Sequence, residues 1–381
     1  MMLATWLVGR DLRRAPSRLL RQAVTLSVLA TLAMTLSTLV DTLDRRSTGL
    51  LRAVEADLVV FNAEARQQVL RSRVPAPGMI GVGFVDGVHD VGVLSVVPTT
   101  VGHAGDQTRA TLVGFNARTP AEPTRVLDGR LPTDGEPNIA AVDAALHRTG
   151  IEIGDRITLG GSLDVEVVGV IPEARFLQQP TVWVPPEVWA RTGARAFPER
   201  GYAETLLGVG LAEVQVGRDA AAVAEDVVAD LAEEDLDVEV VARREALAAV
   251  PGVAAIRATF GVLVILALGV VAIVAAGFAL LQADRDRTLH AELRAIGAEP
   301  RLLAGVALLR LAALWLTASA VAVVLTGALA AATPAGVPLT VRAPVLVVVI
   351  TLLGAAVLAG GALGVLRTRR TDPVEALGER W

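Results

Sequence analysis

The chain has 381 residues, of which 53% are hydrophobic and only 3% aromatic, with a mean hydropathy of +0.53 and a net charge of −5. That composition excludes disordered and collagen-like chains, and the absence of Cys excludes disulfide frameworks, Cys-ligated metals and thiol catalysis. All 35 basic residues are Arg, so there is no Lys for a Walker A loop, a Schiff base or a Ser–Lys dyad; ATP hydrolysis would need another chain.

Residues 1–18 read as a basic amphipathic leader and 19–40 as a first apolar helix, with Arg10, Arg13, Arg14, Arg18 and Arg21 at or before its start. About 20 apolar residues are needed to cross a bilayer as a helix. The run exceeds the core of a signal peptide, and no small-x-small cleavage site follows Val40, so a retained helix is expected.

Residues 41–251 form an acidic domain with 32 Asp/Glu against 19 Arg, net −13, while the rest of the chain is net +8. Short apolar runs at 57–61, 91–97, 108–115 and 181–184 predict strands. The segments 156–159 and 165–171 predict a hairpin across Gly160-Gly161. Then comes a β-α-β pattern: a strand at 207–216, a helix at 220–234 capped by Asp219 with Val223, Val227, Val228 and Leu231 on one face, and a strand at 236–241. With the strands at 57–61 and 91–97 this suggests a ferredoxin-like split β-α-β lobe. Residues of about 100–200 would be an inserted β-rich lobe. The segment 243–250 predicts a helical lead into the membrane. Trp183 and Trp189, around Pro185-Pro186, fit either a binding surface or the core.

Three further apolar segments follow, at 252–281, 302–332 and 343–366. Their uncharged stretches, 258–281, 311–332 and 343–366, are each long enough to span. Arg310 interrupts the second of these segments. Eight residues from Leu302 it lies about 12 Å along the helix, within reach of snorkelling to the headgroups; the alternative is a paired or mechanistic role. Between the second and third helices lies a loop, 282–301. There Leu289, Leu293 and Ile296 recur at helical spacing before Gly297, and an apolar face so placed needs a partner protein or the membrane surface to cover it. A short link, 333–342, and a tail, 367–381, complete the chain.

Arg is concentrated in the leader, in the 282–301 loop and in the tail, which predicts that both termini are cytoplasmic and that 41–251 lies outside. The expected fold is therefore an integral membrane protein with four transmembrane helices and an α+β extracytoplasmic domain. Its acidic outer domain argues against nucleic-acid binding. His89, His103, His147 and His290 are scattered, and no metal spacing, nucleophile elbow or dinucleotide fingerprint occurs. An enzyme is not expected.

Several segments carry a family resemblance. These are Leu293-Arg-Ala-Ile-Gly-Ala298 after a long apolar helix, Asp372-Pro-Val-Glu-Ala-Leu377 in the tail, and the leader from Gly9 to Arg18. In the outer domain they are Asp128-Gly-Arg-Leu-Pro132 and Ile153-Gly-Asp-Arg-Ile-Thr-Leu159 with 165–170. In this order they resemble the MacB/FtsX-like ABC-transporter permeases, the mechanotransmission (type VII) group. Leu289 departs from the acidic residue common in the family's docking loop, and Arg310 stands near a position where a carboxylate is common. The resemblance implies a cell-membrane permease subunit that works as a homo- or heterodimer with a cytoplasmic ABC ATPase. ATP and Mg would be bound by that partner and no cofactor by this chain. Leu289, Leu293, Arg294, Ile296 and Gly297 would dock the ATPase. It further implies export or extraction of an amphipathic or peptide-like substrate, or an FtsX-like regulation of a cell-wall hydrolase, with an extracytoplasmic adaptor as a further partner. A membrane-anchored sensor without an ATPase is the alternative outside the family.

Overall fold

The computed structural model describes residues 16–196, 207–233, 236–285, 300–333 and 339–369. They divide into a sheet domain, Leu43–Ala255, and a helical unit built from the chain on either side of it.

The first helix, α1 (Pro16–Arg52), is 37 residues long and does not stop at the charged boundary expected near residue 40. Charge ends the lipid-compatible stretch, but it does not end backbone helicity. The hydroxyls beyond that point are satisfied within the helix. Thr42 Oγ1 donates to the Thr38 carbonyl (2.8 Å), Ser47 Oγ to Leu43 (2.9 Å) and Thr48 Oγ1 to Asp44 (2.8 Å). Pro, the strongest helix breaker, is absent from 17 to 74.

The sheet begins with β1 (Leu58–Asn62), β2 (Val74–Pro75), α2 (Ala76–Val82) and β3 (Val88–His103). It closes with β10 (Leu207–Val214), α5 (Ala220–Glu233) and β11 (Val238–Ala242). The strand order β11-β1-β10-β3 is antiparallel throughout, with α2 and α5 as crossovers. This is the split β-α-β arrangement expected. Met79 and Val82 of α2 share a buried cluster with Val223, Val227 and Leu231 of α5. A Cβ on Gly210 would lie 2.3 Å from the Met79 sulfur, so the Met79 side chain fills the space that the glycine leaves open. Asp219 caps α5 as expected, its Oδ1 accepting from Ala221 N–H (3.1 Å). Val228 is the exception to the expected face: it is 37% exposed. The buried stripe runs at i, i+4, i+8, and Val228 lies about 100° around the helix from Val227.

Between these halves lie β4 (Asp106–Phe115), β5 (Asp128–Gly129), β6 (Ile139–Asp143), α3 (Ala144–His147), β7 (Arg156–Leu159), β8 (Leu163–Ile171), β9 (Thr181–Val184) and α4 (Pro186–Ala196). They continue the same sheet. All strands join one eleven-stranded sheet, and the 16-residue β3 is its spine. The first half of β3 pairs with β10 and the second with β4. The expected strand at 91–97 continues past Pro98. Pro98 is tolerated because it faces Thr111, whose N–H points away to Pro180 O (2.9 Å), so this cross-strand pair needs no N–H from residue 98. The β7–β8 hairpin forms as predicted, with Gly160 and Gly161 both at positive φ. Trp183 and Trp189 are core: both are fully buried, and Trp183 Nε1 donates to Thr181 Oγ1 (2.9 Å).

The remaining elements are α6 (Arg243–Ala249), α7 (Val253–Arg285), α8 (Pro300–Ala332) and α9 (Ala343–Arg369). Among the described residues four helices, α1, α7, α8 and α9, are long and apolar enough to cross a membrane. In the helical unit they share an apolar seam that includes Met34, Val271, Leu314 and Leu353. Small residues permit close approach: Gly354 lies under the Trp315 ring, whose Nε1 donates to Ile350 O (3.0 Å), and Gly360 abuts the Ala272 carbonyl. Large apolar side chains face outward, among them Ile265 and Ile273 at 70% and 73% exposure. That surface is stable in lipid and not in water.

Asp143 ties two elements of the sheet domain together. Its carboxylate accepts from Ala145 N–H (2.6 Å), capping α3, and from Ala174 N–H (3.0 Å). Burial outweighs these donors and pushes the carboxyl up to about 6. The folded state therefore holds the proton more tightly than the unfolded one, and stability falls as pH rises from about 4 to 6. Lowering the pH from 7 to 5 is expected to stabilise the wild type by on the order of 1 kcal/mol relative to Asp143→Asn. Thermal unfolding of both proteins at the two pH values measures this; an unchanged difference refutes it.

Candidate functional site

No compact catalytic constellation is present among the described residues, and no group of three or more His, Asp or Glu could hold a metal there. The distinctive feature is instead a packed junction, at the place where α1 enters the sheet domain and α6 leads out of it.

The entry is gripped by the strap between β8 and β9. Leu177 N–H donates to Ser47 O (3.2 Å) and Gln178 N–H to Arg46 O (2.9 Å). The Gln178 side-chain amide donates to Leu43 O (2.9 Å) and to Ser47 Oγ (2.8 Å). In return, Leu50 N–H donates to Arg175 O (3.2 Å). Leu177 and Gln178 both hold positive φ, a conformation that costs a non-glycine residue about 1–3 kcal/mol and persists only where the surroundings over-determine it. Gly49 makes the close approach possible, since a Cβ there would lie 2.7 Å from Arg175 N and O.

Charge reinforces the grip. Glu173 receives Arg175 Nε at 2.7 Å, Arg46 Nε at 3.3 Å and Arg148 Nη2 at 3.4 Å. One carboxylate thus joins α1, the strap and the end of α3. The carbonyls just past the end of the helix are also taken. Ala53 O accepts from Thr124 N–H (2.9 Å), and Val54 O from Arg243 Nη1 (2.7 Å).

The exit is rooted in the same place. Ala246 and Val250 of the α6 segment, and Val253 at the start of α7, are buried in one cluster with Leu50, Leu51 and Val54. That cluster also holds Val59 and Phe61 of β1, Leu211 of β10 and Trp183 of β9. Entry and exit therefore share a core, and neither can shift without repacking the other's neighbours.

Among the sequence-predicted site residues, Arg310 is half-buried on α8. Leu289, Leu293, Arg294, Ile296 and Gly297 lie outside the described residues, as do the leader through residue 15 and the tail from 370. The motif Asp128-Gly-Arg has a structural role. Gly129, at φ +70°, packs on the Val168 carbonyl, and Arg130 forks onto Glu136 at 2.8 and 2.9 Å, holding that carboxyl at about 2. The strap was not legible in the sequence. Its partners stand more than 120 positions apart, and a run such as Pro172-Glu-Ala-Arg-Phe-Leu-Gln-Gln reads as an ordinary loop.

No family profile matches this chain, and no curated protein matches it. Among solved structures it is similar to the periplasmic region of MacB from Actinobacillus actinomycetemcomitans (12% identity, TM-score 0.40, covering 51% of this chain and 92% of the other). It is also similar to the extracellular domain of the noncanonic ABC-type transporter YknZ from Gram-positive bacteria (16%, TM-score 0.37, 49% and 100%). A third is a domain of a permease protein from Porphyromonas gingivalis (11%, TM-score 0.32, 50% and 88%).

Two substitutions test the grip. Gly49→Val forces the strap off the helix and is expected to cost at least about 2 kcal/mol. Glu173→Gln leaves three guanidiniums without their shared anion, at a cost on the order of 1–2 kcal/mol. Hydrogen exchange should show faster opening of 43–52 in both variants; unchanged protection would remove the strap's role.

Proposed function

We propose that this chain is the membrane subunit of an ABC-type transporter complex, in which a separate cytoplasmic ATPase moves the sheet domain through the helices on which it is mounted. The observation that carries this reading is the shared core at the roots of α1 and α7. A bare anchor would need one helix joined by a loose linker; here the end of α1 is buried and hydrogen-bonded to the strap, and Val250 and Val253 are buried in the same cluster.

Two further features support the arrangement. Asp41 on α1 and Arg342 just before α9 lie 3.8 Å apart, and Thr340 N–H donates to Thr42 Oγ1 (3.1 Å). That fits helix ends on one side of the membrane, as the Arg distribution implies. Motif order in the sequence supplies the ATPase: the loop around Leu289, Leu293, Arg294, Ile296 and Gly297 is its docking surface. ATP and Mg belong to that partner, and a second permease chain completes the assembly. ATP-driven closure would then bias two states of the sheet domain, a coupling between sites that needs a rigid connection at each end. The cargo is amphipathic or peptide-like and handled outside the cytoplasm.

Ile296→Asp tests the loop. The variant is expected to insert normally and to lose co-purification of the ATPase from mild detergent. Retention of a stoichiometric ATPase would remove the docking role, and the absence of any ATPase from the wild type would favour a sensor or anchor.

A further inference from the structure

The sheet ends on β5 at one side, a strand of only two residues, and on β11 at the other. β11 is five residues long and pairs with β1 in unbroken register. The bonds flanking that ladder, Ala63 N–H to Asp237 O (3.0 Å) and Arg243 N–H to Asp57 O (2.9 Å), fix the phase of the strand. Residues 237, 239, 241 and 243 bond toward β1. The N–H groups of Val238, Val240 and Ala242 and the carbonyls of Val238 and Val240 therefore point outward, and they meet no partner among the described residues. Ala242 is the N-cap of α6, so its carbonyl belongs to the first turn of that helix.

An open edge is a template for another strand. Natural sheets blunt such edges with Pro, Lys, bulges or inward-pointing charge. The run Val238-Glu-Val-Val-Ala242 has no Pro, no Lys and no bulge, and its one carboxylate, Glu239, is held by Gln67 Nε2 (2.6 Å).

The flanking charges say what fits this edge. Asp237 stands at one end, exposed, its carboxylate without a partner among the described residues. Arg243 and Arg244 stand at the other end, and Arg243 uses only Nη1 of its fork, on Val54 O (2.7 Å). Such a strand is complementary to itself run backwards. In an antiparallel pair centred on Val240, the two Val240 residues exchange both their bonds, and each Ala242 N–H reaches the Val238 carbonyl of the other copy. Asp237 of each copy then lies directly opposite Arg243 of the other. A centre at Glu239 would set two carboxylates face to face. A centre at Val241 would aim the Val240 N–H at the Ala242 carbonyl, which α6 already uses.

We propose that β11 is a self-pairing edge, through which the sheet domains of two copies of this chain join into one antiparallel sheet. This deepens the two-chain assembly of the transport reading by naming the surface on which the sheet domains meet. It rests on that reading, because a five-residue edge is too short to hold two free domains, whereas copies within one complex meet at high effective concentration.

The chain has no Cys, so an engineered one reports only on its own surroundings. Only the residue on the two-fold axis faces itself. Val240→Cys in the full-length chain, oxidised in native membranes, is expected to give a covalent dimer, since directly paired strand residues lie within disulfide reach. Gln107→Cys, exposed on β4 and four strands away, is expected to give none. Asp237→Arg in the Val240→Cys background should lower the yield severalfold by setting like charges opposite each other. Val238→Cys/Ala242→Cys reports the same register and serves if Val240→Cys does not fold. Native mass spectrometry of the wild type in detergent counts the copies. A dimer by mass without a cross-link in the folded variants overturns the edge and leaves the two-chain assembly standing. A monomer without a cross-link overturns the edge together with a homodimeric assembly. Equal cross-linking of Gln107→Cys, or a yield that Asp237→Arg does not move, marks random collision and also overturns the proposal. ATPase co-purification is read separately on Ile296→Asp, so failure of the edge and failure of the docking loop are distinguishable.

Discussion

Leu50 and Leu51, at the end of a 37-residue helix, are fully buried in the sheet domain. Their burial is worth roughly 1.5–3 kcal/mol each, before the entropy of ordering them. They lie on the same continuous helix as an apolar span. The backbone bonds from the strap, the Glu173 ion cluster and the missing side chain at Gly49 all serve to keep those two residues seated. The exit through Val250 and Val253 packs against the same cluster.

Charge is distributed to match. The domain is acidic overall, yet its Arg side chains gather at the root of α1: Arg46 and Arg175 around Glu173, and Arg45, Arg52, Arg243 and Arg244 around a cleft. In the first group an acid of the protein supplies the counter-charge, and the pairs hold elements together. In the second, Arg52 pairs with Asp44 (3.0 Å) and Arg243 donates to the Val54 carbonyl (2.7 Å).

The sheet shows how a single long strand can unify what looks like an insertion. In β3 the N-terminal half closes the split β-α-β unit and the C-terminal half founds the added strands. A proline within it reads as a terminator, but the hydrogen-bonding phase of the strand makes position 98 one that needs no donor. Gly210 and Gly129 solve a different problem, leaving room for the Met79 sulfur and the Val168 carbonyl.

Local rules determined much of this protein from the sequence alone. Runs of uncharged residues specified four long apolar helices, short apolar runs specified most strands, Gly160-Gly161 specified the hairpin, and Asp219 and the 3.6-residue period specified α5. These features depend on neighbours within a few positions, so they are written in short windows. Tertiary structure alone decided where α1 ends, that β3 continues past Pro98, that both tryptophans are core, and that Glu173 and Gln178 grip Arg46 and Ser47. Each of these rests on a contact whose partner is far away in the chain, and no local pattern encodes which distant backbone will supply the missing donor or fill the available space.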